Sequence, residues 1–179
     1  MEKSQSGFGF KMMSLMFKVR DLIRPRGDIL KEVGIRPGFK VLDFGCGPGG
    51  YILPVARLVG ASGKIYALDV NPAAILAVKS LALKHKLANV ETILSDGATG
   101  LPDGSVDVVL LYDVLHHLKN RDAILEELHR VLKPEGILSV TDHHLEEKAI
   151  TSGVSGTGLF RLSRKGKVYN FIPASNERP

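Results

Sequence analysis

The stretch Val41-Leu42-Asp43-Phe44-Gly45-Cys46-Gly47-Pro48-Gly49-Gly50-Tyr51 decides how this chain is read. Apolar residues run into a carboxylate, then a glycine-rich turn, then residues that open a helix. Four glycines fall within positions 45–50, a cost in conformational entropy that asks for a reason. Glycine permits positive φ and lets a ligand approach the backbone with no Cβ between them. The helix start that follows offers N–H groups without intrahelical partners, which favour an anionic group. A strand–turn–helix unit of this kind is where open α/β sheets hold nucleotide-like cofactors.

The spacing admits two cofactors. Gly45, Gly47 and Gly50 fit G-x-G-x-x-G, the dinucleotide fingerprint. Gly45, Gly47 and Gly49, with Asp43 two positions upstream, fit Asp-x-Gly-x-Gly-x-Gly. Asp43 favours the second pattern, because a carboxylate suits an amino-acid ammonium and repels a pyrophosphate. A plain tight turn with no ligand is the third reading.

Working outward, the chain alternates strand and helix. Lys40–Phe44 reads as a strand and Tyr51–Val59 as a helix. Lys64–Leu68 is a second strand ending at Asp69. Pro72–Leu87 is a helix with Pro72 in its first turn, where a missing N–H does no harm. Val90–Leu94 is a third strand, and Val106–Leu111 an apolar one suited to the centre of a parallel sheet. Arg121–Leu132 is an amphipathic helix with Ile124, Leu125, Leu128, Val131 and Leu132 on one face. Lys133-Pro134-Glu135-Gly136 breaks it before a fifth strand, Ile137–Thr141. Such repeats predict a doubly wound α/β fold, with a mostly parallel sheet and helices on both faces. Leu159–Leu162 and Val168–Ile172, joined by Ser163–Lys167, read as an antiparallel hairpin after a loop, Thr151–Gly158.

The N-terminal end differs. Residues 1–10 are Ser/Gly-rich and expected to fray. From Lys11 to Val33 apolar residues recur at helical spacing, broken at Pro25 and Gly27, and Gly34 stands at a C-cap position. Residues 1–34 are thus expected to form a helical cap segment, and 35–179 the single globular domain. The Met-rich first helix suits a lid over an apolar site or simple core packing.

Composition narrows the class. A chain of 179 residues buries a real core in one domain. The net charge of +5 is mild and its basic residues are spread, which does not mark a nucleic-acid binder. Cys46 is the sole cysteine, so no intramolecular disulfide or multi-cysteine metal site forms. No apolar run reaches the ~18–20 residues of a membrane span, and no secretory leader layout opens the chain. A cytoplasmic protein is expected.

Asp69 closes the second strand 24 positions after Gly45. A carboxylate there can accept both hydroxyls of a ribose; it can also cap the next helix, as can Asn71. Asp96-Gly97-Ala98 follows the third strand, where an acceptor can take the exocyclic amine of adenine and a backbone N–H can donate to the ring. An Asx turn is the alternative. Asp142, His143 and His144 could contribute metal ligands, but adjacent histidines seldom aim at one ion, so no metal is expected.

Taken in order, motif I (Val41–Tyr51), the acidic strand end (Ile65–Pro72), Asp96-Gly97, the Leu110–Leu118 segment and Arg130–Gly136 resemble class I S-adenosylmethionine-dependent methyltransferases. They most resemble the branch that includes the ubiquinone/menaquinone-biosynthesis type. The resemblance covers roughly residues 36–172. It implies a Rossmann-like, seven-stranded sheet whose last two strands are the antiparallel hairpin. It implies S-adenosylmethionine as cofactor, with Gly45 and Gly47 against its methionine part and Asp43 on its amino group. Asp69 would hold the ribose, Val70 pack on the adenine, and Asp96 and Gly97 contact the adenine. The Tyr112 backbone would line the methionine end with Leu115 beneath it. Gly49, Tyr51 and Cys46 complete the turn, Cys46 as filler rather than nucleophile, since no partner base lies near it in sequence.

The implied reaction is in-line displacement at the sulfonium methyl, onto a small-molecule acceptor. A base is needed where the acceptor must lose a proton. His116 and His117 are the first candidates, because they follow the fourth strand where the pocket should open. Asp113, His143 and Tyr51 are the others. No Asn/Asp-Pro-Pro-Tyr/Phe sequence follows the fourth strand, which argues against a base- or amide-methylating enzyme, and one cysteine is too few for arsenite. Two other readings stand beside this one: a non-catalytic S-adenosylmethionine-binding module acting through a partner protein, and a nicotinamide-dependent oxidoreductase. With so little covering structure, the pocket is either open or closed by a second copy in a homodimer.

Overall fold

The structure, a computed structural model, describes residues 26–174. Most of the expected N-terminal helical segment therefore lies outside the described residues. Its last part is a short helix, α1 (Arg26–Lys31), followed by a turn that ends at Gly34 with φ 77°. The elements after it are β1 (Lys40–Phe44), α2 (Ile52–Val59), β2 (Lys64–Asp69), α3 (Pro72–Lys84), β3 (Val90–Leu94) and β4 (Val106–Tyr112). Then come α4 (Arg121–Val131), β5 (Leu132–Thr141), α5 (Glu147–Ser155), β6 (Phe160–Lys165) and β7 (Tyr169–Pro173).

The seven strands form one sheet in the order β3-β2-β1-β4-β5-β7-β6. The pairs β1–β2, β1–β4, β2–β3 and β4–β5 are parallel, and β7 runs antiparallel to both β5 and β6. Alternation along β1 divides the core. Leu42 and Phe44 face one way, toward Leu125 and Leu128 of α4 and Val154 of α5. Val41 faces the other way, toward Ile52 and Val55 of α2 and Val78 of α3. Each fully buried aliphatic side chain of this kind stabilises the fold by about 1.5–3 kcal/mol. Strand β4 is buried almost end to end, as a central parallel strand covered on both faces must be.

Four local expectations need correction. Residues 151–158 are not a plain loop: α5 runs through Ser155 because Ile150 and Val154, one turn apart, bury against the sheet. Packing overrides the weak helix propensity of Thr151, Ser152 and Gly153; the Thr151 and Ser152 hydroxyls bond back to the carbonyls of Glu147 and Lys148. Second, β5 begins at Leu132 rather than Ile137, directly after α4. The register jumps from Val106↔Leu132 to Val108↔Ile137, so Lys133–Gly136 bulges instead of leaving the sheet. Third, β4 is not wholly apolar: Asp107 sits near its start, accepting from Lys133 Nζ at 2.5 Å and from the Lys40 N–H at 2.7 Å. Fourth, β6 runs on to Lys165 rather than ending at Leu162, while β7 begins at Tyr169, so the turn tightens to Gly166–Val168.

Candidate active site

The strand order reverses between β1 and β4, since the chain leaves β1 toward β2 and later returns to β4 on the other side. Loops above the carboxyl ends of such a pair diverge and open a crevice. The glycine-rich turn lies there. The N–H groups of Gly45 and Cys46 both donate to the Leu68 carbonyl, at 2.8 and 2.9 Å, which pins the turn to the end of β2. A Cβ on Gly45 would collide with the Val114 side chain from the loop after β4. Gly47 has φ 51°, and a Cβ there would meet nothing within 4 Å. Gly49 has φ 83°, and a Cβ there would press on Val78, Ile52 and Leu81 at 3.1–3.3 Å. Gly45 and Gly49 therefore serve close packing, while Gly47 borders open space.

The two carboxylates set the charge of this turn. Asp43 is 3% exposed. Asp69 accepts the Gly47 N–H on Oδ2 and the Asn71 N–H on Oδ1, both at 2.8 Å. Asn71, not Asp69, caps α3, accepting the Ala73 N–H at 2.9 Å. An ionised carboxylate has about four acceptor positions, so Asp69 retains capacity for ligand hydroxyls. Burial first, then the negative charges of Asp43 and Asp69, push the Cys46 thiol far above its usual range. Cys46 is thus a buried neutral filler, and the field at the turn is negative, as a cationic ligand requires. Val70, beside Asp69, is 67% exposed, an apolar surface with nothing over it.

The far side of the crevice comes from the ends of β3 and β4. Asp96 is exposed and Gly97 buried, and the Gly97 N–H donates to Ser95 Oγ at 3.2 Å. Sequence reasoning did not single out Glu127, which fixes this loop from α4. Glu127 accepts the Thr99 N–H at 2.9 Å and the Thr99 hydroxyl at 2.5 Å. The Arg130 guanidinium beside it outweighs burial and, with Thr99, draws the Glu127 carboxyl down to about 2. Tyr112 is buried, and burial pushes its hydroxyl well above its usual range although Ser139 shares a 2.9 Å hydrogen bond with it. Tyr51 packs edge-on to it, with ring centroids 4.9 Å apart. Leu115 is wholly buried in the core.

The histidines gather where the β4 and β5 loops meet. His116 Nδ1 lies 2.8 Å from Asp142 Oδ2, and the His116 N–H reaches the same oxygen at 3.1 Å. The Asp142 side chain has no exposed surface and that of His116 is 18% exposed. His117 and His144 lie against the His116 ring, with centroids 3.9 and 4.3 Å away. His143 is bound instead to Asp113, through Nδ1 at 2.6 Å and its N–H at 3.1 Å. Asp142 and His143 thus turn to different partners, and among the described residues no three His, Cys, Asp or Glu groups gather as a metal site. A cavity of about 310 Å³ between Arg36, Phe39, Lys133 and Ile137 lies at the opposite ends of the central strands, away from this crevice.

The turn, the hydroxyl acceptor and the negative field fit a nucleoside bearing a cationic amino-acid tail. Similarity to known proteins agrees. A family model described as a methyltransferase domain matches residues 35–167. The ubiquinone/menaquinone biosynthesis C-methyltransferase of Hydrogenovibrio crunogenus is 32% identical over 170 residues, covering 79% of this chain and 67% of that protein. The demethylmenaquinone methyltransferase of Geobacillus sp. is 28% identical over 128 residues, covering 71% of this chain and 55% of its own length. The crystal structure of an S-adenosylmethionine-dependent methyltransferase from Aquifex aeolicus superposes with a TM-score of 0.74 at 29% identity, covering 87% of this chain and 97% of that one. No helix among the described residues is long and apolar enough to cross a membrane. From motif, crevice and relatives together, the chain belongs to the class I S-adenosylmethionine-dependent methyltransferases.

Proposed function

We propose that this enzyme methylates a small-molecule acceptor, a reduced quinone ring being the first to try, with His116 as the base. The ring is suggested by the names of the two relatives, a ubiquinone/menaquinone C-methyltransferase and a demethylmenaquinone methyltransferase. The observation that carries the reading is the His116–Asp142 pair, 2.8 Å apart at the mouth of the crevice. Nothing in the comparisons supports a non-catalytic binder or a nicotinamide oxidoreductase.

When bound, S-adenosylmethionine supplies a methyl on a positively charged sulfur with a neutral thioether as leaving group. In this assignment the protein's contribution is to bind, orient and keep the site dry. Asp43 takes the amino group directly or through water, and Gly45, Cys46, Gly47, Gly49 and Tyr51 form the turn against the methionine part. Asp69 takes the ribose hydroxyls, Val70 packs on the adenine, and Asp96 and Gly97 meet its edge. The Tyr112 backbone and Leu115 close the methionine end. His116 would take the proton that the acceptor carbon loses on methylation, with His117 beside it as the alternative base. The pathway is tested with methyl-labelled S-adenosylmethionine and reduced demethylmenaquinone. Label should enter the ring with the native protein and fall about 100-fold with His116→Ala. Full cofactor binding with no label transferred to the ring would remove this acceptor.

A further inference from the structure

Strands β4 and β5 are neighbours in register, Tyr112 opposite Thr141, so Asp113 and Asp142 follow side by side. Two carboxylates so placed repel unless each finds a cationic or N–H partner. The structure resolves this by exchange. Asp142, after β5, takes the N–H and Nδ1 of His116 from the β4 loop. Asp113, after β4, takes the N–H and Nδ1 of His143 from the β5 loop. The β4 loop is bent to allow it: Asp113 has φ 56°, a conformation that non-glycine residues avoid, and its N–H is held by the Thr141 carbonyl at 2.8 Å.

Asp142 is held at both oxygens. Oδ2 accepts two bonds from His116, and Oδ1 accepts the His144 N–H at 3.0 Å. Burial raises its pKa, but the bonds from His116 and from the His144 and His116 N–H groups outweigh this and hold it ionised. An ionised carboxylate only accepts, so the proton between the pair sits on His116 Nδ1. An imidazole whose one proton sits there carries its lone pair on Nε2. His117 and His144 press on the ring at tilts of 41° and 47°, with centroids 3.9 and 4.3 Å away, and confine it from both neighbours.

We infer that Asp142 is a positioning residue, which holds His116 in the tautomer with a basic Nε2, and that the crossed Asp113–His143 pair locks the two loops so that this nitrogen keeps its place. The inference rests on His116 being the base. It predicts that amides cannot replace Asp142. Both of its oxygens receive backbone N–H groups, so an Asn at this position turns an NH₂ toward one of them whichever way it faces.

The test is nitrogen-15 NMR of histidine-labelled protein, with S-adenosylhomocysteine bound, beside methyl-transfer kinetics on reduced demethylmenaquinone. In the native protein the His116 signals should report Nδ1–H and a bare Nε2. Asp142→Asn should give a mixture of tautomers and lower kcat by roughly 100-fold, with cofactor Kd changed less than about threefold. Asp142→Glu should recover part of both the signal pattern and the rate. Asp113→Asn should broaden the His116 signals and lower kcat less. A native His116 protonated on Nε2, or an Asp142→Asn variant that is folded and retains the native tautomer and kcat, overturns the inference. Should His116→Ala keep full activity, the base assignment fails, whatever the NMR of the native protein shows.

Discussion

Replacing Gly47 and Gly49 separately by alanine distinguishes a ligand cradle from a packing turn. Both have positive φ, 51° and 83°, so alanine strains either by about 1 kcal/mol. At Gly47 nothing lies within 4 Å of the new Cβ, so the strain is the whole effect on stability. For a chain of this size that lowers Tm by about 2–4 °C. At Gly49 the Cβ also meets Val78, Ile52 and Leu81 at 3.1–3.3 Å. Overpacking adds about 1–3 kcal/mol, and Tm should fall by about 5–15 °C. Binding should rank the other way. In the proposed site the Gly47 Cβ occupies space reserved for the methionine part of the cofactor, which should weaken S-adenosylhomocysteine by about 100-fold. Gly49→Ala, measured well below its Tm, should weaken it by about threefold or less. Calorimetry and thermal melts of both variants are sufficient. Equal losses of affinity, or a Gly47→Ala variant that binds as the native protein does, would refute the assignment.

Glu127 gives a prediction with a pH sign. Its folded pKa, about 2, lies below the ordinary glutamate value of 4.5, so its stabilisation is present above the unfolded value and is lost as pH falls from about 4.5 toward 2. Its side chain is 19% exposed, and screening leaves about 1–2 kcal/mol. Glu127→Gln should lower Tm by about 3–6 °C at pH 7 and by much less near pH 2; an equal loss at both would assign the effect to something other than charge. For Cys46, burial and the neighbouring carboxylates keep the thiol protonated. Alkylation by iodoacetamide at pH 8 should be slow in the native protein and fast in denaturant, and rapid native alkylation would contradict the buried, negative turn.

The β–α rhythm carried the mostly parallel, doubly wound sheet because each strand and helix has its own period and punctuation. The positions of Asp43 and Asp69 at strand ends were legible for a similar reason, since each closes an apolar run before a turn. What the sequence hid depends on contacts between distant segments. Thr151 and Gly153 gave no sign of α5, because the helix rests on Ile150 and Val154 meeting a sheet face formed elsewhere in the chain. The contact of Asp142 with His116 was hidden because the two stand 26 positions apart in the chain. Glu127 looked like any exposed charge on an amphipathic helix, yet it reaches Thr99 across 28 positions.

The central claim is that the crevice binds S-adenosylmethionine through the glycine turn and Asp69. Calorimetric titration of the full chain with S-adenosylmethionine, S-adenosylhomocysteine and NAD, repeated with Asp69→Ala, tests it most directly. The account predicts micromolar binding of the first two ligands, no heat with NAD, and a loss of about 100-fold or more in the variant, where the ribose hydroxyls lose a charged acceptor. Binding of NAD in place of S-adenosylmethionine, or native affinity in Asp69→Ala, would contradict it.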